Sequence, residues 1–333
     1  MRARAYVSAL FFLLCAAALG SLTLGRYPVG MADLAGFLGL GPDMDPDRMR
    51  LTRTLILDIR LPRILAAVCV GASLAASGSA FQAMFVNPLV SPGLLGVLSG
   101  ASLGAALGML FSIRWFVVQF STFVFGLLAV GLAMLMARMY RGDRLLLLVL
   151  SGIVVSALFT ALLSLVKYMA DPYDQLPAIT YWLMGGFSLI DRESILLMGP
   201  LMLLGIGVML SLSGYLNVLT MGDEEARALG VRVTLVRTVL ILAATLVSSL
   251  TVAAGGVIGW VGLIIPHVGR MLVGPDNRVL LPVSVLLGAI YLLVMDNLSR
   301  LIFPVEIPLG ILTAILGIPV FAAALRSSRG GWS

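Results

Sequence analysis

The sequence predicts an all-α, polytopic membrane protein with about ten transmembrane helices and both termini in the cytoplasm. Three observations carry this. First, hydrophobic residues make up 60% of the 333-residue chain, charged residues 11%, and mean hydropathy is +1.07. A soluble domain carries roughly 25% charged residues, so this chain could not cover itself in water. Second, apolar stretches close to the about 20 residues a membrane helix needs recur along its length. Third, 36 residues are glycine, which suits helices that pack closely in a bilayer.

The spans are expected near 5–25, 62–84, 93–112, 115–137, 145–168, 194–213, 236–255, 258–272, 280–298 and 309–325. The first follows Arg2 and Arg4 and has a signal-peptide look. It is long, however, and no small-residue cleavage site clearly follows, so it reads as a retained span. An even number of spans puts both ends on one side. The arginines of the short loops, including Arg138, Arg141, Arg144, Arg227, Arg232 and Arg237, favour a cytoplasmic N-terminus. The long segment 26–63 then lies outside. The whole of 1–333 reads as one membrane domain whose first partner is the lipid bilayer.

Between spans six and seven stands LTMGDEEARALGVRVTLVR, a compact charged patch in an otherwise apolar region. Tyr215–Met221 is expected as one or two helical turns, broken by Gly222. Asp223 is a good N-cap for a second short helix, Glu224 to Leu229, with Glu224 and Glu225 where the helix dipole favours negative charge. Gly230 suits its C-terminal end. Ala226, Leu229 and Gly230 give it a smooth face. Residues alone leave two readings open: a solvated loop that is charged, or a docking knob for a cytoplasmic partner.

Other features mark breaks. Asn87-Pro88 and Ser91-Pro92 cannot continue a helix smoothly and predict a turn. Gly93, Gly96, Gly100, Gly104 and Gly108 predict a packing stripe along span three. Gly255, Gly256 and Gly259 interrupt the chain before span eight, and Pro266 is expected to kink or end that span near its middle. Arg60, Arg63 and Arg300 fall at external span ends, where they could snorkel toward headgroups. Tyr173, Tyr181 and Trp182 read as interfacial anchors.

Several chemistries are excluded or disfavoured. Cys15 and Cys69 sit inside apolar runs, so a disulfide framework is not expected. His267 is the single histidine and lacks partner ligands for a metal, so it reads as hydrogen-bonded across the bundle. Lys167, the single lysine, is not preceded by the glycine of a phosphate-binding loop, so this chain binds no ATP through one of its own. No catalytic residue, metal, bound cofactor or nucleic-acid partner is expected.

Five stretches together carry a resemblance. They are IRLPRILAAVCVGASLAASGSAFQAMFVNPLVSPGLLGVLSGASLG (59–104), YWLMGGF (181–187), GDEEARALGV (222–231), GGVIGWVGLIIPHVGRMLVGPDNRVLLP (255–282) and EIPLGILTAILGIPVFAAAL (306–325). In this order and spacing the chain resembles the FecCD-type permease subunits of ABC importers for iron-siderophores, heme and vitamin B12, and looks closest to the B12 branch. The resemblance implies a ten-helix subunit in the bacterial inner membrane, paired with a second copy around a central pathway. It implies two cytoplasmic ATPase subunits that hold ATP and Mg, and a periplasmic substrate-binding protein. It makes the segment near 215–231 a pair of coupling helices, with Leu219, Gly222, Asp223, Glu224, Glu225, Ala226, Arg227, Leu229 and Gly230 at the ATPase. It gives Arg60, Arg63 and Arg300 to binding-protein docking. It places a cytoplasmic gate at Gly142 and Asp143, where B12 permeases carry small hydroxyl residues instead. Two copies of Asp143 near an axis would repel unless paired, for instance with Arg144.

The alternative class is an ion-coupled secondary transporter, which also uses broken helices. Such proteins keep acidic residues deep within their spans, whereas Asp296 and Glu306 are expected at helix ends. An intramembrane enzyme would need a catalytic constellation that the sequence does not offer.

Overall fold

The computed structural model describes residues 2–41, 45–111 and 114–327. Its elements in order are α1 (Arg2–Thr23), α2 (Met31–Phe37), α3 (Pro46–Thr54), α4 (Leu61–Met84), α5 (Val97–Phe111), α6 (Trp115–Met139), α7 (Arg144–Met169), α8 (Gln175–Leu183), α9 (Arg192–Ser211), α10 (Ser213–Leu219), α11 (Asp223–Ala228), α12 (Val233–Gly255), α13 (Val261–Val273), α14 (Asn277–Leu301) and α15 (Leu309–Ser327). Among the described residues seven helices are long and apolar enough to cross a membrane, and three shorter apolar helices complete the expected set.

α4 is the central post. It packs against α14, α12, α9 and α13, and almost all of its residues are buried. A predominantly apolar helix with no polar face is buried on every side when it stands in the middle of a bundle. Two backbone contacts fix its neighbours. A Cβ at Gly71 would collide with the Gly288 carbonyl of α14, and one at Gly78 with the Gly262 carbonyl of α13. Small residues here let the helix axes approach to backbone contact. Gln82 reinforces the lower contact: its amide donates to the Gly262 carbonyl at 3.2 Å, and its Oε1 accepts from Arg270 Nη2.

Three expectations change. Span two does not begin at its membrane boundary. A π-helical stretch, Leu55–Arg60, joins α3 to α4, giving one helical run of 39 residues, Pro46–Met84. At about 1.5 Å per residue this rod overshoots a bilayer core of about 30 Å. Pro266 does not end span eight; α13 continues through it to Val273. The interruption expected at Gly255, Gly256 and Gly259 does form, with Gly256 and Trp260 at positive φ of 68° and 70°. The glycine stripe is shorter than five positions. Gly93 lies in a 3-10 turn and Gly96 (φ 88°) ends it, so only Gly100, Gly104 and Gly108 face α6, against Phe125, Ser121 and Val118. The turn at Asn87 forms as expected, with Asn87 Oδ1 accepting from Leu89 N–H at 2.9 Å.

Outside the span ends, α2 and α3 are joined by Arg48 and Asp33 at 2.7 Å. The Arg48 guanidinium and the Gly30 N–H hold the Asp33 carboxyl below the usual aspartate range. His267 is buried, with its ring edge-on to Phe321 at 6.4 Å.

Because the Gly71–Gly288 contact leaves no room for a side chain, Gly71→Leu is expected to abolish or strongly lower the folded yield. Overpacking typically costs about 1–3 kcal/mol and more where backbone blocks relief. Size-exclusion chromatography in detergent checks this. Gly131→Leu, on the open face of α6 where no atom lies within 4 Å, is expected to behave like the parent.

Candidate functional site

Three of the motif stretches meet at one junction. The turn after α8, the break after α12 and the start of α15 are cross-linked by backbone hydrogen bonds. Gly186 N–H donates to Gly255 O at 2.8 Å, Leu309 N–H to Gly185 O at 2.8 Å, and Gly310 N–H to Met184 O at 3.0 Å. Non-helical backbone at membrane depth is tolerated only where such partners satisfy it. Glycine is required by contact as well: a Cβ on Gly310 would stand 2.7 Å from Val257 O, and Gly185 holds φ 77° against the same carbonyl. YWLMGGF, GGVIG and EIPLG are thus one structural knot. Trp182 is buried in it and is not an interfacial anchor, while Tyr173 is almost fully exposed.

Beside the knot lies a buried ionic network. Arg63 Nε donates to Asp296 Oδ1 at 2.8 Å, and its two terminal nitrogens meet Glu306 at 3.1 and 2.9 Å. Arg300 Nε stands 3.2 Å from Asp296 Oδ2 and also approaches the Asp296 carbonyl. Arg300 Nη2 donates to Asn297 Oδ1. Two arginines and two carboxylates balance, which is what allows burial of charge. Arg60 turns inward too, donating to the carbonyls of Leu22 and Tyr27 and so tying α1 to α4. These findings correct the snorkelling expectation: Arg60, Arg63 and Arg300 are each no more than 8% exposed. They also correct the placement of Asp296, which lies fully buried within α14 and not at a helix end.

At the opposite end α10 and α11 form a knob. Gly222, at φ 118°, is the N-cap of α11, so Asp223 is the first helical residue and does not cap. Its carboxylate is used instead as an anchor, 2.7 Å from Arg237 of α12 and 3.5 Å from Arg227. Leu216, Leu219 and Ala226 are buried beneath the knob; Leu229, Glu224, Glu225, Arg227 and Gly230 remain on its surface. The second anchor was not read from the sequence. Asn217 donates to Asp276 Oδ1 at 2.6 Å, and its own Oδ1 accepts from Asn277 N–H at 2.8 Å and Asn277 Nδ2 at 2.9 Å. Asp276 also caps α14 through Arg278 N–H. The Asn217 amide and that N–H hold the Asp276 carboxyl below its usual range. The knob is therefore fastened to both α12 and α14. A polar triplet such as Pro-Asp-Asn at a span entry was the available signal, but its partner lies 59 residues earlier.

The loop before α7 departs from expectation. Asp143 does not pair with Arg144. It caps α7, accepting from Leu145 N–H at 2.8 Å and Leu146 N–H at 3.1 Å, while Arg144 reaches Thr234 Oγ1 at 3.4 Å. Gly142 stands before it at φ 150°. Among the described residues no cluster of potential ligands could hold a metal ion.

A bundle of apolar helices broken at a shared knot, with a charged two-helix knob at one end, defines a multi-pass membrane permease. The chain belongs to the FecCD transport family, whose family model matches residues 12–327. It is 40% identical over 97% of its length, and 96% of the relative's, to the molybdate import system permease protein MolB of Haemophilus influenzae. It is 37% identical over 83% of each chain to the vitamin B12 import system permease protein BtuC of Klebsiella pneumoniae. A solved ABC transporter in an inward-facing conformation, described as of metal-chelate type, superposes with a TM-score of 0.86 at 41% identity, covering 96% of this chain and 98% of that one.

Arg63→Gln would leave the fully buried Asp296 with Arg300 as its one remaining cationic partner and would release the half-buried Glu306. Breaking a buried ion pair costs about 3–5 kcal/mol, so a loss of that size is expected in detergent-titrated unfolding. A loss below about 1 kcal/mol, the level of an exposed pair, would contradict the network.

Proposed function

We propose that the chain is the membrane subunit of a binding-protein-dependent ABC importer of the bacterial inner membrane. It works as two copies flanking a pathway, with a periplasmic binding protein on one side and two ATPase subunits, carrying ATP and Mg, on the other. The observation that carries this reading is the double anchoring of α10–α11. A surface knob that is fastened through Asp223 to α12 and through Asn217 to α14 can pass a push from a docked ATPase to two spans at once. Leu219, Gly222 and Ala226 seat the knob, and Glu224, Glu225, Arg227, Leu229 and Gly230 form its face toward the ATPase.

On the outer side, Arg60, Arg63 and Arg300 serve docking from beneath, by fixing the shape of the loops a binding protein would meet. Their own guanidiniums are spent inside the subunit. Gly142 and Asp143 sit in the loop where a gate between two copies would close; Asp143 acts there by holding the first turn of α7. The cargo is a metal-bearing anion or chelate. Relatives named for molybdate and for vitamin B12 support this wider class, which includes the bulky chelates (iron-siderophore, heme, cobalamin) but also a small oxyanion. The ion-coupled alternative loses its best residue, because the buried acid Asp296 is already held by Arg63 and Arg300.

Uptake into proteoliposomes holding this chain and its co-encoded ATPase, with binding protein and ATP added, tests the reading. Molybdate, a ferric siderophore, heme and cyanocobalamin would be offered in parallel. ATP-dependent uptake of one of them is expected. Uptake that ignores ATP and follows a proton gradient would overturn it. Asn217→Ala is expected to lower transport per ATP hydrolysed several-fold without loss of folded protein, since it frees the knob from α14.

A further inference from the structure

Between the α6–α7 loop and the α11–α12 junction lies a cleft of about 640 Å³. Arg138, Arg141, Arg144, Arg227 and Arg237 all line it, and Asp223 is the one acidic residue on its wall. That carboxylate is already occupied by Arg237 and, more loosely, by Arg227. Asp143, the acid of the adjoining loop, is spent on the N-terminus of α7. Arg138 and Arg141 make no ion pair among the described residues and are exposed. The inner wall is apolar, formed by Met134, Leu148 and Ile241.

Arg138, Arg141 and Arg144 face the cleft with no carboxylate left to balance them, and their mutual repulsion is relieved by a bound anion. A planar guanidinium binds oxyanions through paired hydrogen bonds, and several together favour an anionic group with three or more oxygens, such as a phosphate, over neutral ligands. We propose that this cleft is a binding site for a phosphate-type oxyanion group, supplied by an anionic phospholipid headgroup or by a free tetrahedral oxyanion. The apolar wall matches the glycerol and upper acyl region of a lipid, and basic pockets between membrane helices are known lipid headgroup sites. A bound anion joins arginines of α6 and of the α6–α7 loop to arginines of α11 and α12. It would thereby lock the loop to the knob, a consequence that rests on the proposed coupling role; the binding itself does not.

The test uses the purified full chain in neutral detergent and needs no ATPase. Thermal unfolding is followed while dihexanoyl phosphatidylglycerol, dihexanoyl phosphatidylcholine, inorganic phosphate or molybdate is added. A saturable rise in melting temperature with phosphatidylglycerol but not phosphatidylcholine assigns the site to lipid. An equal rise with phosphate or molybdate assigns it to a free oxyanion. In either case the R138Q/R141Q double variant is expected to bind about tenfold or more weakly, since hydrogen bonds to charged groups contribute about a factor of ten each. R53Q, on α3, is expected to keep full affinity, and added salt to weaken binding. No rise with any anion, or a rise that the double variant retains, would overturn the proposal. Should the double variant unfold, competition between phosphate and phosphatidylglycerol on the parent chain decides: mutual exclusion supports one shared site, and independent effects refute it.

Discussion

The architecture depends on how closely α4 can approach its neighbours. Gly71 meets Gly288 of α14 and Gly78 meets Gly262 of α13, backbone to backbone. In a bilayer the lipid tails offer no hydrophobic drive between helices, so association rests on such van der Waals contact and on polar links. With the mid-span distances fixed, the ends of the same helices are brought within reach of each other. Arg63 of α4 can then meet Asp296 of α14, and Gln82 of α4 can meet Arg270 of α13. The Arg63 network, the glycine contacts and the Gln82–Arg270 link are consecutive along one post.

The two ends of the bundle solve opposite electrostatic problems. At the Arg63 end charge is buried: Asp296 and Glu306 hold Arg63, Asp296 also holds Arg300, and Arg60 is held by the carbonyls of Leu22 and Tyr27. Such a network contributes little net stability compared with an apolar substitute, but it is costly to break in part. It therefore serves to fix one arrangement of α4, α14 and the segment leading to α15. At the knob end charge is exposed and unbalanced. Arginines crowd the α6–α7 loop and the knob, with Asp223 and Asp143 committed to local roles. That imbalance is the one from which the arginine rule expects these loops in the cytoplasm.

Much of this was legible in the sequence because membrane physics writes long signals. Apolar runs place the spans to within a few residues, and the glycines at 222 and 230 bound the short helix α11. The motif stretches were visible too, but not their meeting: nothing in YWLMGGF says that its glycines hydrogen-bond to GGVIG and EIPLG, since each bond spans tens of residues. The arginines misled for a physical reason. An arginine at a span end is ordinarily free to snorkel, and only the three-dimensional return of Asp296 and Glu306 to Arg63 turns it inward. Likewise Asp223 reads as a cap by local rule, while Arg237, 14 residues on, takes its carboxylate as an anchor. The rod before α4 was missed because Pro46 and polar residues resemble a loop, although proline at a helix start is favoured.

The central claim is that α10–α11 moves as one body with α12 and α14. Amide hydrogen exchange on the reconstituted chain addresses it most directly, because exchange reports local opening apart from global unfolding. The expected result is that the amides of Leu216–Thr220 exchange as slowly as those of the first turns of α14, and that Asn217→Ala speeds the former alone. Fast exchange of the knob in the parent chain, at the rate of an unanchored surface loop, would contradict the account.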